Sequence, residues 1–391
     1  MTTNSIDLIC LSHLRWNFVL QRPQHLMSRF ARNRRVFFFE EAMFEEAEPH
    51  VLQKTCEKTG VHVITPVLPV GTKGPEANAA LRQLLNEVVA QNNISKYLTW
   101  YYTPMAMEFT VALDPSVVVY DCMDELSAFA GAPRSMLINE EALFRTADLV
   151  FTGGASLYES KRKQHGNVHL FPSSVEKEHF AKARTGLPEP ADQQAIAKPR
   201  IGYAGVVDER MDLELVREVA AARPDWQFVF LGPVVKISPD SLPQGPNIHW
   251  LGMKPYAELP AYFGGWDIGF LPFALSEATR FISPTKTPEY LSAGLHVIST
   301  PIRDVVTPYG QLGLVSIAGT ADEFIAAAEK IFEGSVDASW QSKVKDFLDR
   351  MSWDRTWRSM DALIEGVLSE TSEGSQQSSG SGRVIEILRR G

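Results

Sequence analysis

Residues 282–300 read ISPTKTPEYLSAGLHVIST and predict a loop, a helix and an apolar strand in succession. Ser283 suits a helix N-cap and Pro284 suits the first helical position, so we expect a helix over 284–293. Gly294 suits the left-handed turn that ends such a helix before the strand HVIST. A helix leading into a buried strand is a repeating unit of α/β folds.

The start of this helix is a candidate phosphate site. The backbone amides of Thr285 and Lys286 would lie at a helix N-terminus, where free donors and the positive end of the dipole favour anions. Lys286 and Glu289 are three residues apart and share a helix face. The alternative interpretation is a solvated Lys–Glu pair, which stabilises a helix by only about 0.2–0.5 kcal/mol.

Alternating strand and helix patterns extend outward from this segment in both directions. Strands are predicted at 6–12, 35–41, 61–67, 97–102, 117–124, 149–154, 167–172, 200–205, 227–233, 247–252, 267–273, 296–301 and 314–319. Helices of the second half are predicted at 212–225, 256–265, 284–293 and 320–333. Apolar runs such as VFFF and VVVY suit parallel strands covered on both faces. The pattern predicts two doubly wound α/β sheets, which bind ligands at the carboxyl ends of their strands.

Composition excludes several classes of protein. The net charge of -9 does not favour nucleic acid as a partner. The three cysteines lack CxxC spacing, so neither a disulfide framework nor a zinc site is predicted. No secretion signal or run of about 20 apolar residues is visible, and we therefore expect a cytoplasmic protein.

Two basic runs, SRFARNRR at 28–35 and KRK at 161–163, concentrate cations in the first half. They could face an anionic membrane, where each basic residue contributes about 1 kcal/mol, or they could simply be solvated helix ends. The first alternative would add a peripheral contact with the inner membrane face.

Five quoted segments resemble family 4 and related retaining glycosyltransferases of the GT-B fold. In the second half these are SPTKTPEYLSAG, PRIGYAGVVDERMDLELV and PNIHWLGMKPYAELPAYFGGWDIGFLPF. In the first half, WNFVLQRPQHLMSRFA and VVVYDCMDELSAF resemble a bacterial subgroup that includes teichuronic-acid and exopolysaccharide transferases. The resemblance implies transfer of a sugar from a UDP- or GDP-linked donor to a saccharide or lipid-linked acceptor, with retention and without a cofactor.

The resemblance also implies two Rossmann-like domains facing across a cleft, with C-terminal helices. The composition changes over 180–199, which is rich in Pro, Ala and polar residues and is predicted to be a linker. We assign an acceptor-side domain to 1–178, a linker to 179–199, a nucleotide-sugar domain to 200–350, a helix that could return to the N-terminal domain to 351–370, and a disordered tail to 371–391.

The resemblance assigns the ribose hydroxyls to Glu289 and the diphosphate to Lys286 or Arg210, the latter in the turn after Gly205. Arg210 could instead belong to a cap of the helix that starts near 212. Two departures from the family pattern affect this site. Phe281 stands where many members have a sugar-binding glutamate, and Val206 replaces the usual basic residue after the turn glycine.

The replacement at 281 leaves the donor-sugar contact to other residues of the loop LSEATRF and its flank, for which the candidates are Glu277, Thr279 and Ser283. No D-x-D triplet occurs in the sequence, so we expect no metal. Cations and the helix dipole would then stabilise the departing diphosphate.

On the acceptor side, Asp121 and Asp124 lie at a predicted strand end, where a carboxylate could orient the acceptor hydroxyl or act as general base. Alternatively, they are buried capping residues. The loop after the first strand should face the same cleft with Ser12, His13, Arg15 and Trp16. Arg22 and His25 are expected to secure that loop.

Three other functions share this architecture. A nucleotide-sugar epimerase needs acid/base groups at one sugar carbon, and a glycogen-type phosphorylase needs a lysine for pyridoxal, but no motif requires either. A degenerate transferase would bind the nucleotide without catalysis. The missing glutamate at 281 permits that interpretation, whereas Lys286 and Glu289 oppose it.

Overall fold

The computed structural model describes residues 6–334 and 339–377, with side chains through residue 370. The chain forms two sheets, as predicted, and their strands are parallel except for β4. Strands of the first sheet are β1 (Asp7–Leu11), β2 (Val36–Phe39), β3 (Met43–Glu45), β4 (His50–Thr55), β5 (His62–Pro69), β6 (Tyr97–Tyr101), β7 (Val117–Cys122), β8 (Leu149–Thr152) and β9 (Val168–Leu170). Strands of the second are β10 (Arg200–Ala204), β11 (Gln227–Leu231), β12 (Ile248–Trp250), β13 (Ile268–Leu271), β14 (His296–Ser299) and β15 (Ser316–Ile317).

Helices connect the strands on both faces of the sheets. In the first half these are α1 (Arg22–Phe30), α2 (Gly74–Gln91), α3 (Met107–Thr110), α4 (Ser135–Thr146), α5 (Ala155–Lys161), α6 (Lys177–Ala181) and α7 (Ala191–Gln194). In the second they are α8 (Leu213–Ala222), α9 (Leu259–Phe263), α10 (Lys286–Ala293), α11 (Arg303–Val305), α12 (Ala321–Phe332), α13 (Trp340–Leu348) and α14 (Trp353–Gln377).

The strand order identifies two doubly wound sheets. The first runs β3-β5-β2-β1-β6-β7-β8-β9, and the second runs β12-β11-β10-β13-β14-β15. Crossovers on both sides of β1 and β10 place the carboxyl ends of the central strands at one edge of each sheet. The buried VFFF strand β2 pairs in parallel with β1 and β5, as its uninterrupted apolar sequence predicts.

Three parts of the chain differ from the sequence prediction. The strands β3 and β4 were not expected, and β4 pairs antiparallel with β5. The predicted linker contains the end of helix α6 and the whole of helix α7. Residues 371–377 belong to helix α14, so the prediction of disorder is wrong for them. Residues 378–391 lie outside the described residues.

The final helix packs against the first half of the chain. Met360 and Ile364 on α14 belong to the same buried apolar cluster as Phe30 on α1. The ring of Trp353 stacks on His25 with 4.7 Å between centroids. Helix α14 thus packs against one face of helix α1.

The same packing accounts for the basic run at 28–35. Arg32 binds Asp354 at 2.5 Å, and Arg34 binds Asp361 at 2.5 Å. These two guanidinium groups therefore have carboxylate partners on α14. Among the described residues, no helix is long and apolar enough to span a membrane.

Candidate active site

The two sheets approach each other at the carboxyl ends of their strands. Asp304, which follows β14, accepts hydrogen bonds from the backbone N–H of Ser156 at 3.1 Å and from its hydroxyl. Gly154 is close to this contact. A side chain at position 154 would collide with the Asp304 carboxylate and with the Ser283 Cβ atom. The second half therefore caps helix α5 of the first half.

Asp124 follows β7 and faces the second half. Burial raises its pKa to about 6, Arg210 opposes that rise, and Asp208 adds to it. Arg210 and Asp208 belong to the turn after β10, so these charges meet across the cleft. A carboxyl group with this pKa is mostly ionised at neutral pH and can still accept a proton, as a general base must.

Asp121 has different surroundings, although it lies only three residues earlier. Its side chain is 0% exposed, and both carboxylate oxygens accept hydrogen bonds from Arg22 at 2.8–3.1 Å. Arg22 also donates to the carbonyl of Phe171 at 2.6 Å. The structure thus corrects the catalytic assignment of Asp121, because this buried pair fixes α1 to β7 and leaves no oxygen for substrate.

A buried lysine holds the loop that carries Asp124. Lys161 is 2% exposed in its side chain and forms 2.8 Å ion pairs with Glu125 and Glu140. Tyr120 donates to Glu140 at 2.7 Å. Glu125 directly follows Asp124, so Lys161 at the C-terminal end of helix α5 holds the neighbour of the candidate base. At the N-terminal end of the same helix, Ser156 contacts Asp304 of the second half.

Arg210 lies in the predicted turn and is shared between two partners. Its Nε and Nη2 atoms donate to Asp208 at 2.7–3.1 Å, and its guanidinium lies 5.2 Å from the ring centre of Phe129 in the first half. The Nη1 edge forms no hydrogen bond with a described residue, and an oxyanion could bind there. The N-cap of helix α8 is Asp212, so Arg210 does not cap that helix.

The turn that supports Arg210 depends on close backbone packing. Gly232 has φ +143°, and a side chain on it would collide with the carbonyl of Gly205. The N–H of Gly205 donates to Leu231 at 2.9 Å. The turn after β10 is thus fixed against the end of β11.

Helix α10 begins two residues later than predicted. Its N-cap is Thr285, so the assignment of Ser283 as N-cap is wrong. Lys286 Nζ lies 2.5 Å from Glu289 Oε2, and Glu289 is only 7% exposed. Burial raises the pKa of Glu289, while Lys286 lowers it. Lys286 and Glu289 therefore do not form the solvated pair that the alternative interpretation of the sequence predicts.

Residues near Glu289 come from both sides of the cleft. Tyr256 donates to Glu176 at 3.1 Å, and the carboxylates of Glu289 and Glu176 both act to raise the Tyr256 pKa, after burial. His25 lies with its Nδ1 atom 3.8 Å from Glu176. Burial lowers the pKa of His25 to about 3, which fits the packing role expected for it.

The candidate donor-sugar loop contains one accessible carboxylate. Thr279 is buried, and its hydroxyl donates to the carbonyl of Ala274 and accepts from the N–H of Ser276, so it closes the loop. Glu277 is exposed and lines a cavity of about 640 Å³ between this loop and α5, together with Arg280. The structure separates these two candidates and leaves Glu277 accessible to a ligand.

Most of the loop after β1 is structural. The Ser12 hydroxyl accepts from the N–H of Leu14, Arg15 pairs with Glu40 at 3.2 Å, and Trp16 is buried beside Phe38. His13 alone of the four predicted residues is placed toward the second half. Burial lowers its pKa to about 4, and the nearby Lys236 ammonium acts in the same direction.

Sequence reasoning missed several residues of the cleft. Lys236 follows β11 and has a left-handed backbone with φ +63°, unusual for a residue other than glycine. Its Nζ atom lies 5.0 Å from the ring centre of Phe129 and 4.0 Å from Glu209 Oε1. The sequence signal that could have identified Lys236 as a cleft residue is its position after a predicted strand. The described residues contain no group of three or more His, Cys, Asp or Glu side chains able to hold a metal ion.

Comparison with known proteins identifies the fold. The chain is 26% identical over 297 residues to a Bacillus subtilis protein named "Putative teichuronic acid biosynthesis glycosyltransferase TuaH", covering 71% of this chain and 74% of that protein. No protein-family model matches the chain.

Solved structures agree over nearly the whole length. The sucrose-phosphate synthase of Thermosynechococcus elongatus superposes with TM-score 0.70 at 15% identity, over 93% of this chain and 100% of the other. The E. coli trehalose-6-phosphate structure bound with UDP-2-fluoro glucose gives 0.67 at 12% identity, over 93% and 99%. The fold is GT-B. This confirms the predicted fold class.

Proposed function

We propose that this protein is a glycosyltransferase that moves a sugar from a nucleotide-diphosphate donor to a hydroxyl of a saccharide or lipid-linked acceptor. The observation that carries the proposal is the position of Asp124, a carboxyl with a raised pKa that faces the Arg210 turn of the other sheet. The named relative and the shared GT-B fold support the same class of reaction.

Donor binding is proposed for the second half. The start of α10 offers backbone N–H donors and Lys286 to the diphosphate, and Glu289 offers a carboxylate to the ribose hydroxyls. The Nη1 edge of Arg210 would bind a second phosphate oxygen. We propose a UDP- or GDP-linked donor, and the neighbouring structure with UDP-2-fluoro glucose makes UDP the first to test.

The proposed chemistry uses Asp124 as the proton acceptor. The acceptor oxygen forms a bond to the anomeric carbon, the bond from that carbon to the diphosphate oxygen breaks, and the hydroxyl proton passes to the Asp124 carboxylate. Lys286, Arg210 and the helix dipole would stabilise the charge on the leaving diphosphate. We propose retention of configuration, by attack from the face on which the diphosphate departs.

Activity should persist in excess EDTA if these cations perform the task of a metal. We expect turnover within about twofold of the untreated enzyme, because the leaving group is stabilised by Lys286, Arg210 and helix α10. The measurement is nucleoside diphosphate release before and after chelation. Loss of turnover that Mn²⁺ restores would contradict the proposal.

A thermal-shift screen of nucleotide-sugars tests the donor assignment. A donor present at about 100 times its Kd stabilises the folded state by about 2.7 kcal/mol, which should raise the melting temperature by about 2–4 °C. At least one UDP- or GDP-sugar should give this rise. If neither sugars nor free nucleoside diphosphates shift the melting curve, the donor site is wrongly assigned.

A further inference from the structure

Beside the proposed base lies a second group of polar side chains that the donor site does not use. Glu209 directly precedes Arg210, and Lys236 follows the neighbouring strand β11. His13 and Phe129 belong to the first half. We refer to Glu209, Lys236, His13 and Phe129 as the lateral cluster.

Glu209 is the strongest indication of a ligand. Its side chain is 22% exposed, yet both carboxylate oxygens are inaccessible to solvent and accept no hydrogen bond from a described residue. The nearest cation is Lys236, whose Nζ atom is 4.0 Å away, beyond hydrogen-bonding distance. Leaving a buried carboxylate without hydrogen bonds is costly, so a ligand that donates to it would be favoured.

His13 has the same property on the opposite side of the cleft. Its Nδ1 atom is buried and has no hydrogen-bond partner among the described residues. The ring also interacts with the backbone of Tyr102. With a pKa of about 4 it is neutral at pH 7, so Nδ1 can exchange a hydrogen bond with a hydroxyl group.

The backbone of Lys236 is held in an unfavourable conformation beside these groups. Left-handed geometry is unfavourable for a residue with a side chain. Such strain is concentrated at functional sites. The residue with this strained backbone is Lys236, and its Nζ atom lies 5.0 Å from the ring centre of Phe129.

The local charges favour neutral hydroxyl groups over an anion. Lys236 faces Glu209, and Arg210 is paired with Asp208 at 2.7 Å. Asp124 adds a further carboxylate from the opposite side of the cleft. Because the Nη1 edge of Arg210 is assigned to the donor diphosphate, an anionic acceptor at Glu209 would meet the carboxylates of Glu209 and Asp124 against the ammonium of Lys236.

We propose that Glu209 and His13 form a subsite for hydroxyl groups of a neutral saccharide acceptor, with Lys236 and Phe129 shaping its wall. Glu209 accepts from one acceptor hydroxyl, and His13 Nδ1 exchanges a hydrogen bond with another. The subsite adjoins Asp124 through the Arg210–Phe129 contact. This inference rests on the proposed function and adds the chemical class of the acceptor.

The test compares binding of neutral and anionic sugars to the UDP-saturated protein by saturation-transfer NMR. The probes are p-nitrophenyl β-glucoside and its charged counterpart p-nitrophenyl β-glucuronide. We expect the glucoside to bind about tenfold more tightly. Glu209→Gln and Glu209→Ala should each weaken glucoside binding about tenfold and leave the Kd of UDP unchanged.

Glu214→Gln is the matched control, because Glu214 is exposed on α8 and its ion-pair partner among the described residues is Arg217. Its glucoside affinity should equal that of the wild type. Equal or tighter binding of the glucuronide, no glucoside binding, or unchanged affinity in both folded Glu209 variants would overturn the inference. Failure of UDP to bind the wild type would instead overturn the proposed function, so the two failures are distinguishable.

Discussion

Replacing Asp124 by asparagine should lower kcat by about two to four orders of magnitude and leave the donor Kd within about twofold. Asparagine keeps the shape of the side chain but cannot accept the acceptor proton. We propose that the donor binds to groups of the second half, so its affinity should not follow kcat. Steady-state kinetics and a separate donor titration measure the two effects.

The pH dependence gives an independent signature of the same residue. A general base works in its ionised form, so kcat should rise as the pH increases through about 6 and then level off. The groups that influence this carboxyl are Arg210, Asp208 and Arg22. The acidic limb should be absent from the residual activity of Asp124→Asn.

Folding stability should respond in the opposite direction. The folded pKa of about 6 lies above the ordinary value, so the contribution of Asp124 is fully present below about pH 4 and is lost as the pH rises through about 6. Asp124→Asn should therefore remove part of this decline. Asp346→Asn on α13 is the control, since Asp346 is exposed and is not among the groups that influence Asp124. An unchanged kcat in folded Asp124→Asn would show that the base is another group.

The second large effect is expected for Glu289→Gln, which should raise the Kd of the nucleoside diphosphate by about one to two orders of magnitude. Charged hydrogen bonds contribute about 1.5–3 kcal/mol, and the substitution removes the charge while keeping one acceptor oxygen. Stability without ligand should change little. Although Lys286 loses its ionised partner at 2.5 Å, the cost of burying the carboxylate disappears as well.

Glu323→Gln provides the contrast, because this glutamate lies at the start of α12 and accepts from the N–H of Gly319 at 2.7 Å. It should change stability without changing nucleotide affinity. Calorimetric titrations of UDP and GDP, beside ligand-free melting curves, separate the outcomes. A Glu289→Gln protein that melts early but binds normally would reduce Glu289 to a structural residue.

Local sequence signals predicted the fold well and the site in part. The apolar runs that form β2 and β7 were clear because both strands are buried within a parallel sheet. By contrast, the exposed strands β3 and β4 lack an apolar run and were missed. The carboxylate–lysine pair of α10 was predictable because it depends on spacing within one helix.

Assignments that depend on distant partners could not be made from the sequence. Asp121 and Asp124 look alike at a strand end, and only the contact with Arg22, 99 residues away, separates them. The lateral cluster likewise brings together residues of both halves. A left-handed lysine gives no sequence signal comparable to that of glycine, so Lys236 was not singled out.

The most direct test of the central claim is release of nucleoside diphosphate from the donor found in the thermal-shift screen, measured with and without acceptor. We predict that a saccharide or lipid-linked acceptor stimulates release and that a glycosylated product appears in equal amount. Asp124→Asn should nearly abolish both the stimulated release and the product. A donor that binds tightly but is never cleaved, with any acceptor of the panel, would contradict transfer and identify a protein that only binds nucleotide-sugars.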